Sequence, residues 1–215
     1  RSNTTGLVNT ATGHQAMYSN TIGIYNTAFG HEALFSNSSG ESNTAIGKWA
    51  LHLNTDGIFN TASGAFSMRN NSTGFHNVAN GYLSLSVNST GSNNTATGSR
   101  SLRLNTDGSK NTSIGYDAMS DNISGSNNTA CGYQSLNNNS FGHSNTAIGT
   151  RALYLNYNRS NLVAVGDSAL YRNGSGATSS THANGNTAIG SKSMFSNTLG
   201  YDNTAIGYLS LFSNE

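Results

Sequence analysis

The chain has no proline, one cysteine, one tryptophan and few charges, with 10 Lys+Arg against 9 Asp+Glu in 215 residues. Each scarcity excludes something. A formal net charge of +1 provides none of the Lys/Arg excess needed to displace counterions from phosphates, so nucleic acid is not an expected partner. Disorder usually rests on high net charge or a proline-rich bias, and neither occurs. No apolar run approaches the roughly 18 residues of a membrane span. Cys131 has no second cysteine to pair with, and no His or acid recurs at a fixed spacing from it, so it reads as a small apolar filler and not a nucleophile. In place of charge there are 33 Asn, 33 Ser and 23 Thr, besides 25 Gly.

These residues are ordered by a repeat. The pentapeptide N-T-A-x-G, or a close variant, starts at Asn9, Asn26, Asn43, Asn60, Asn77, Asn94, Asn111, Asn128 and Asn145, each 17 residues after the last. Further units start at Leu162, at Asn186 after a step of 24, and at Asn203. With the first residue of each unit as position 0, position 4 is Gly in all twelve: Gly13, Gly30, Gly47, Gly64, Gly81, Gly98, Gly115, Gly132, Gly149, Gly166, Gly190 and Gly207. Position 11 is Asn in all twelve: Asn20, Asn37, Asn54, Asn71, Asn88, Asn105, Asn122, Asn139, Asn156, Asn173, Asn197 and Asn214. Position 14 is Gly in every unit that reaches it except at Arg159. Position 8 is always Leu or Met, position 7 Ala or Ser, position 2 Ala except Ser113, and position 1 Thr except Val78 and Val163.

Gly reaches positive φ without steric strain and Asn favours turns, which places corners at position 4 and across positions 11 to 14. Between them lie two pieces too short for a stable helix, one around T-A-I and one around (A/S)-(L/M). Two short strands and two turns per unit predict an all-β fold, a parallel β-solenoid (β-roll) of about twelve 17-residue coils forming one repeat domain over residues 1–215. At the interstrand spacing of about 4.8 Å the rod is about 55 to 60 Å long, and the Asn of position 11 can stack as an amide ladder. Like charges would repel at that spacing, which accounts for their scarcity. Adjacent positions 7 and 8 are both restricted although successive strand residues face opposite ways. This implies burial on both faces, through a homo-oligomer with its axis along the rod or through a narrow single-chain coil.

The segments N-T-A-I-G-K-W-A-L (Asn43 to Leu51), N-T-A-I-G-T-R-A-L (Asn145 to Leu153) and N-T-A-I-G-Y-L-S-L (Asn203 to Leu211) resemble the head repeats of trimeric autotransporter adhesins of the YadA type. They are similar also to repeats of phage tail fibres. The resemblance implies a trimeric β-roll, exposed on the cell or virion surface or outside the cell, with a role in attachment to a host surface or glycan. The familiar head repeat is shorter than 17 residues, so the extra residues are expected to lengthen turns. The segment is expected to be part of a longer fibre.

No catalytic constellation emerges. His14 and His31 share position 5 with Lys48, a poor metal ligand, which favours a solvated column over a metal site. Asp56 and Asp107 share position 13 but lie three coils apart. Neither cofactor nor metal is expected. Two features remain as candidate binding surfaces. One is the mixed column at position 9, which includes Tyr18, Phe35, Tyr154, Tyr171, Phe195 and Phe212. The other is the insertion at 177–185, with Thr178, Ser179, Ser180, Thr181, His182 and Asn184, since insertions in solenoids emerge as loops. Alternatives to an adhesin or tail-fibre rod are a self-assembling extracellular filament and an ice- or crystal-surface-binding solenoid that uses the Thr of position 1.

Overall fold

The computed structural model describes residues 3–214. Each unit is one coil, numbered here 1 to 12 from the units starting at Asn9 to Asn203. Positions 1 to 3 of every coil form a three-residue strand, from Thr10–Thr12 to Thr204–Ile206, and the twelve strands stack in order as one parallel sheet. The register is the repeat itself, with Thr10 on Thr27, Ala11 on Ala28 and Thr12 on Phe29. The insertion does not disturb it, since Val163 pairs with Thr187 and Val165 with Ile189. Among the described residues there is no helix, and none long and apolar enough to cross a membrane.

The core is narrow. Ala at position 2, Ala or Ser at position 7 and Leu or Met at position 8 are buried in almost every coil. Buried hydroxyls have partners, as the low-dielectric interior demands. Ser113, the exception in the Ala column, accepts a bond from Ser101 (2.8 Å) and donates to the carbonyl of Ala118 (2.9 Å).

The far side of the coil departs from the second strand that the sequence implies. Positions 6 and 8 are left-handed in every coil, for example Trp49 (φ 60°), Leu51 (49°), Arg100 (59°) and Leu102 (53°). Among the described residues only coils 10 to 12 carry a second sheet, of two-residue strands at Arg172–Asn173, Ser196–Asn197 and Ser213–Asn214. Elsewhere the backbone zigzags but still bonds between coils: Leu51 N–H donates to Ser67 C=O (3.0 Å) and Trp49 N–H to His31 C=O (3.0 Å). The left-handed residues break the inside–outside alternation of a strand. Positions 7 and 8 therefore both point inward within a single chain. Of the two explanations of their double restriction, the narrow single-chain coil suffices, because it alone buries both.

The corner at position 4 is as the sequence indicates: all twelve Gly there have φ between 121° and 141°. A Cβ on Gly64 would lie 2.5 Å from the carbonyl oxygen of Gly81 in the next coil. The Gly of position 14 has a different cause. A Cβ on Gly23 would sit 2.5 Å from Asn20 Oδ1, Asn37 Nδ2 and Gly40 O together, so close approach of the Asn ladder excludes any side chain there.

Candidate functional surfaces

Both Asn columns are interior. At position 11 each side-chain amide donates to the Asn Oδ1 one coil earlier, as in Asn54 to Asn37 (2.9 Å) and Asn71 to Asn54 (2.7 Å), and also to the position-14 carbonyl of its own coil (Asn71 to Gly74, 3.0 Å). At position 0 the Oδ1 accepts the backbone N–H of the next Asn (Asn60 to Asn43, 3.0 Å), while the amide donates to the same carbonyl (Asn60 to Gly74, 2.8 Å). Gly74 C=O thus joins the two columns and clamps the corner. These Asn are buried and fully engaged, so they hold the coil and are out of reach of a ligand.

The insertion concentrates the departures from the repeat. Asn173 donates to Ala183 C=O (2.8 Å), which takes the role that a position-14 Gly has in other coils. The nine residues 174–182 therefore stand where other coils have two, earlier than a boundary drawn after Gly176. One coil before, Arg159 replaces the Gly, and its carbonyl still accepts Asn145 (2.8 Å) and Asn156 (3.0 Å). Its guanidinium, largely buried, donates to Ser179 C=O (2.8 Å) and Ala177 C=O (3.1 Å) and so straps the loop to the rod. Leu162, the non-Asn of position 0, falls at the same place.

Of the six loop residues singled out from sequence, Thr178, Ser180 and Thr181 are exposed. Asn184 is structural, accepting Ser160 N–H (2.8 Å) and donating to Ser180 C=O (2.6 Å). Ser179 bonds Thr181 through their hydroxyls (2.9 Å), and His182 has a buried Nδ1 without a partner. Beside the loop Leu155, Tyr157, Asn158, Arg159 and Ser175 border a cleft of about 390 Å³.

The position-9 rings stack on one another: Tyr154, Tyr171, Phe195 and Phe212 follow at centroid distances of 5.2, 5.0 and 5.2 Å, nearly parallel. Tyr18, Phe35 and His52 do the same at 5.3 and 5.1 Å. Inside each run the neighbouring rings cover the faces, leaving the edges outward. His14 and His31 also stack (5.1 Å), and Glu32 lies between His31 (3.5 Å) and His52 (3.6 Å). Among the described residues no three His, Cys, Asp or Glu are arranged to hold a metal ion.

The outward side of the sheet is the broadest regular surface. Position 1 presents the Thr column, exposed or half-buried. Position 3 is polar in coils 4 to 6 (Ser63, Asn80, Thr97) and then, in coils 7 to 12, Ile114, Cys131, Ile148, Val165, Ile189 and Ile206. The four Ile of that run are 39–70 % exposed. In the sequence this column is the x of N-T-A-x-G, evenly spaced but varied in composition.

Comparison of the chain with protein-family models, with curated proteins and with solved structures returned no match.

Proposed function

We propose that the chain is a non-enzymatic segment of an extracellular fibre, an adhesin-like or tail-fibre-like rod that assembles as a homotrimer and mediates attachment at a cell or virion surface. The observation that carries the reading is the outward apolar run of position 3 in coils 7 to 12, beside the β-branched Thr/Val column of position 1. An exposed contiguous apolar stripe on a flat sheet marks an association surface. Identical copies cover it best in parallel about an axis along the rod. Full-length antiparallel pairing would set Ile114, Cys131 and Ile148 against the polar Thr97, Asn80 and Ser63, whereas parallel pairing in register sets apolar on apolar throughout the run. Stiffness comes from the continuous backbone and Asn ladders, and repetition of weak neutral contacts gives avidity.

Cys131 is exposed in the middle of this stripe. Mild oxidation should join it to its own copy, because a lengthwise axis brings like residues together. At a threefold axis two of the three thiols can pair, so disulfide-linked dimers would form with about one chain in three left free. Absence of crosslinking at Cys131, with efficient crosslinking of a Cys placed instead at Asn80, would overturn the parallel arrangement. The Thr column is what a lattice-matching surface would also use. Its neighbouring column is Phe or a branched aliphatic in most coils, which favours protein association over ice.

A further inference from the structure

On the far side of the rod two cations, Arg100 at position 6 and Arg103 at position 9, are each neutralised by an acid one coil later. Arg100 Nη2 donates to Asp117 Oδ2 (2.9 Å) while its Nε makes an ion contact with Oδ1 (2.7 Å), and Arg103 pairs with Asp121 (3.6 Å). Coils 3 and 4 instead bring two cations without such a partner to one aromatic ring. Lys48 Nζ lies 5.2 Å from the centre of the Trp49 ring and 5.8 Å from that of Phe66, and the Arg69 guanidinium lies 4.7 Å from the centre of Trp49. The two cations are thus no farther apart than the two Trp49 distances laid end to end. Among the described residues neither forms an ion pair, the Lys and Arg residues so engaged being Arg100 and Arg103. Glu32, one coil earlier, lies 3.5 Å from His31 and 3.6 Å from His52 and within ion-pair distance of neither cation. Trp49 Nε1 and Arg69 Nε are also left without acceptors. Two like charges converge, with spare donors, on the only tryptophan of a nearly neutral chain. Ring quadrupoles offset part of the repulsion; an anion between the cations would offset the rest and accept the free N–H groups once the flexible Lys48 and Arg69 side chains swing toward it.

We propose that Lys48, Trp49, Phe66 and Arg69 form a binding site for the anionic group, carboxylate or sulfate, of an acidic polysaccharide. A polysaccharide fits better than a nucleic acid because the site offers one cation pair flanked by aromatic rings and not a basic track. Acidic sugars present one isolated charge between apolar C–H faces, for which Phe66 and the half-exposed Tyr82, ring centres 5.9 Å apart, provide the rim. The inference names the ligand class for the attachment role proposed above and rests on that reading for its biological setting, but binding requires only the single chain.

The sole tryptophan is the reporter. Titration of the protein with a galacturonate hexamer, and separately with a heparin-derived hexasaccharide, should shift Trp49 emission saturably, the more responsive of the two identifying carboxylate or sulfate as the preferred group. Calorimetric titration of the same ligands gives a second readout should the fluorescence be silent. The Lys48→Ala/Arg69→Ser variant should bind at least tenfold more weakly with an unchanged melting curve, since the same columns hold Ala65 and Ser86 in neighbouring coils. Added salt should weaken binding, and neutral maltohexaose should not bind. Failure of both acidic ligands by both readouts, equal binding by the variant, or tighter binding of a thymidine dodecamer would each overturn the proposal. Light scattering on the same samples reads assembly independently, so loss of the site and loss of the fibre reading are distinguishable.

Discussion

The two sides of each coil are restricted in opposite ways. On the strand side position 1 is always β-branched, and its side chain faces out. On the far side position 8 is always Leu or Met, never Val or Ile, and its side chain faces in. The difference lies in the backbone. Extended φ/ψ suits β-branched residues, whereas the left-handed region at position 8 (φ 44–53°) penalises them. A column can therefore be narrow in composition because of what surrounds it or because of the conformation it adopts, and only the second forbids a residue of equal volume.

Substitutions can break that comparison. The largest loss is expected at the corner joining the two sides: Gly98→Val sets a Cβ 2.5 Å from Gly115 O at a φ of 125° and should cost about 4 kcal/mol or more. Gly176→Ala, where no atom lies within 4 Å of the added Cβ, should cost about 1 kcal/mol, from its positive φ alone. Next comes the buried ladder. Asn105→Leu deprives Asn122 of its acceptor and Asn88 Oδ1 of its donor, and should cost about 3 kcal/mol, at about 1–3 kcal/mol per unpaired buried group. Leu102→Ile keeps the volume but not the backbone tolerance, and should cost about 2 kcal/mol; Leu102→Met should stay within about 1 kcal/mol. The smallest effect is expected on the strand side, where Thr95→Ile should lie within about 0.5 kcal/mol. Urea midpoints followed by circular dichroism check all six. Equal losses for Leu102→Ile and Leu102→Met would remove the conformational explanation of position 8.

Much of the coil was legible because repetition turns one chain into its own alignment. Twelve copies of Gly at position 4 locate a corner, and twelve Asn at position 11 locate a ladder, both of which the structure contains. The left-handed far side was not read, although a signal existed: β-branched residues are missing from positions 6 and 8 in all twelve units. Adjacent restricted positions left burial between chains and burial in a narrow single coil both open, and one left-handed residue suffices to turn both positions inward. The boundary of the insertion was missed because Gly176 fits the Gly column by spacing, whereas the carbonyl that completes the corner belongs to Ala183. The cation pair at Trp49 could not be found from columns at all, because it joins positions 5, 6 and 9 of two coils, and what distinguishes it is the approach of two cations to one ring.

The central claim is that these rods associate through the outward sheet face. Multi-angle light scattering of the wild-type chain beside Ile114→Lys/Ile148→Lys tests it most directly. The account expects about three times the 22.4 kDa of one chain for the wild type, and a single-chain mass for the variant with its melting curve retained, because both Ile side chains are exposed and outside the core. A wild-type mass of one chain, or an unchanged oligomer in the variant, would contradict it.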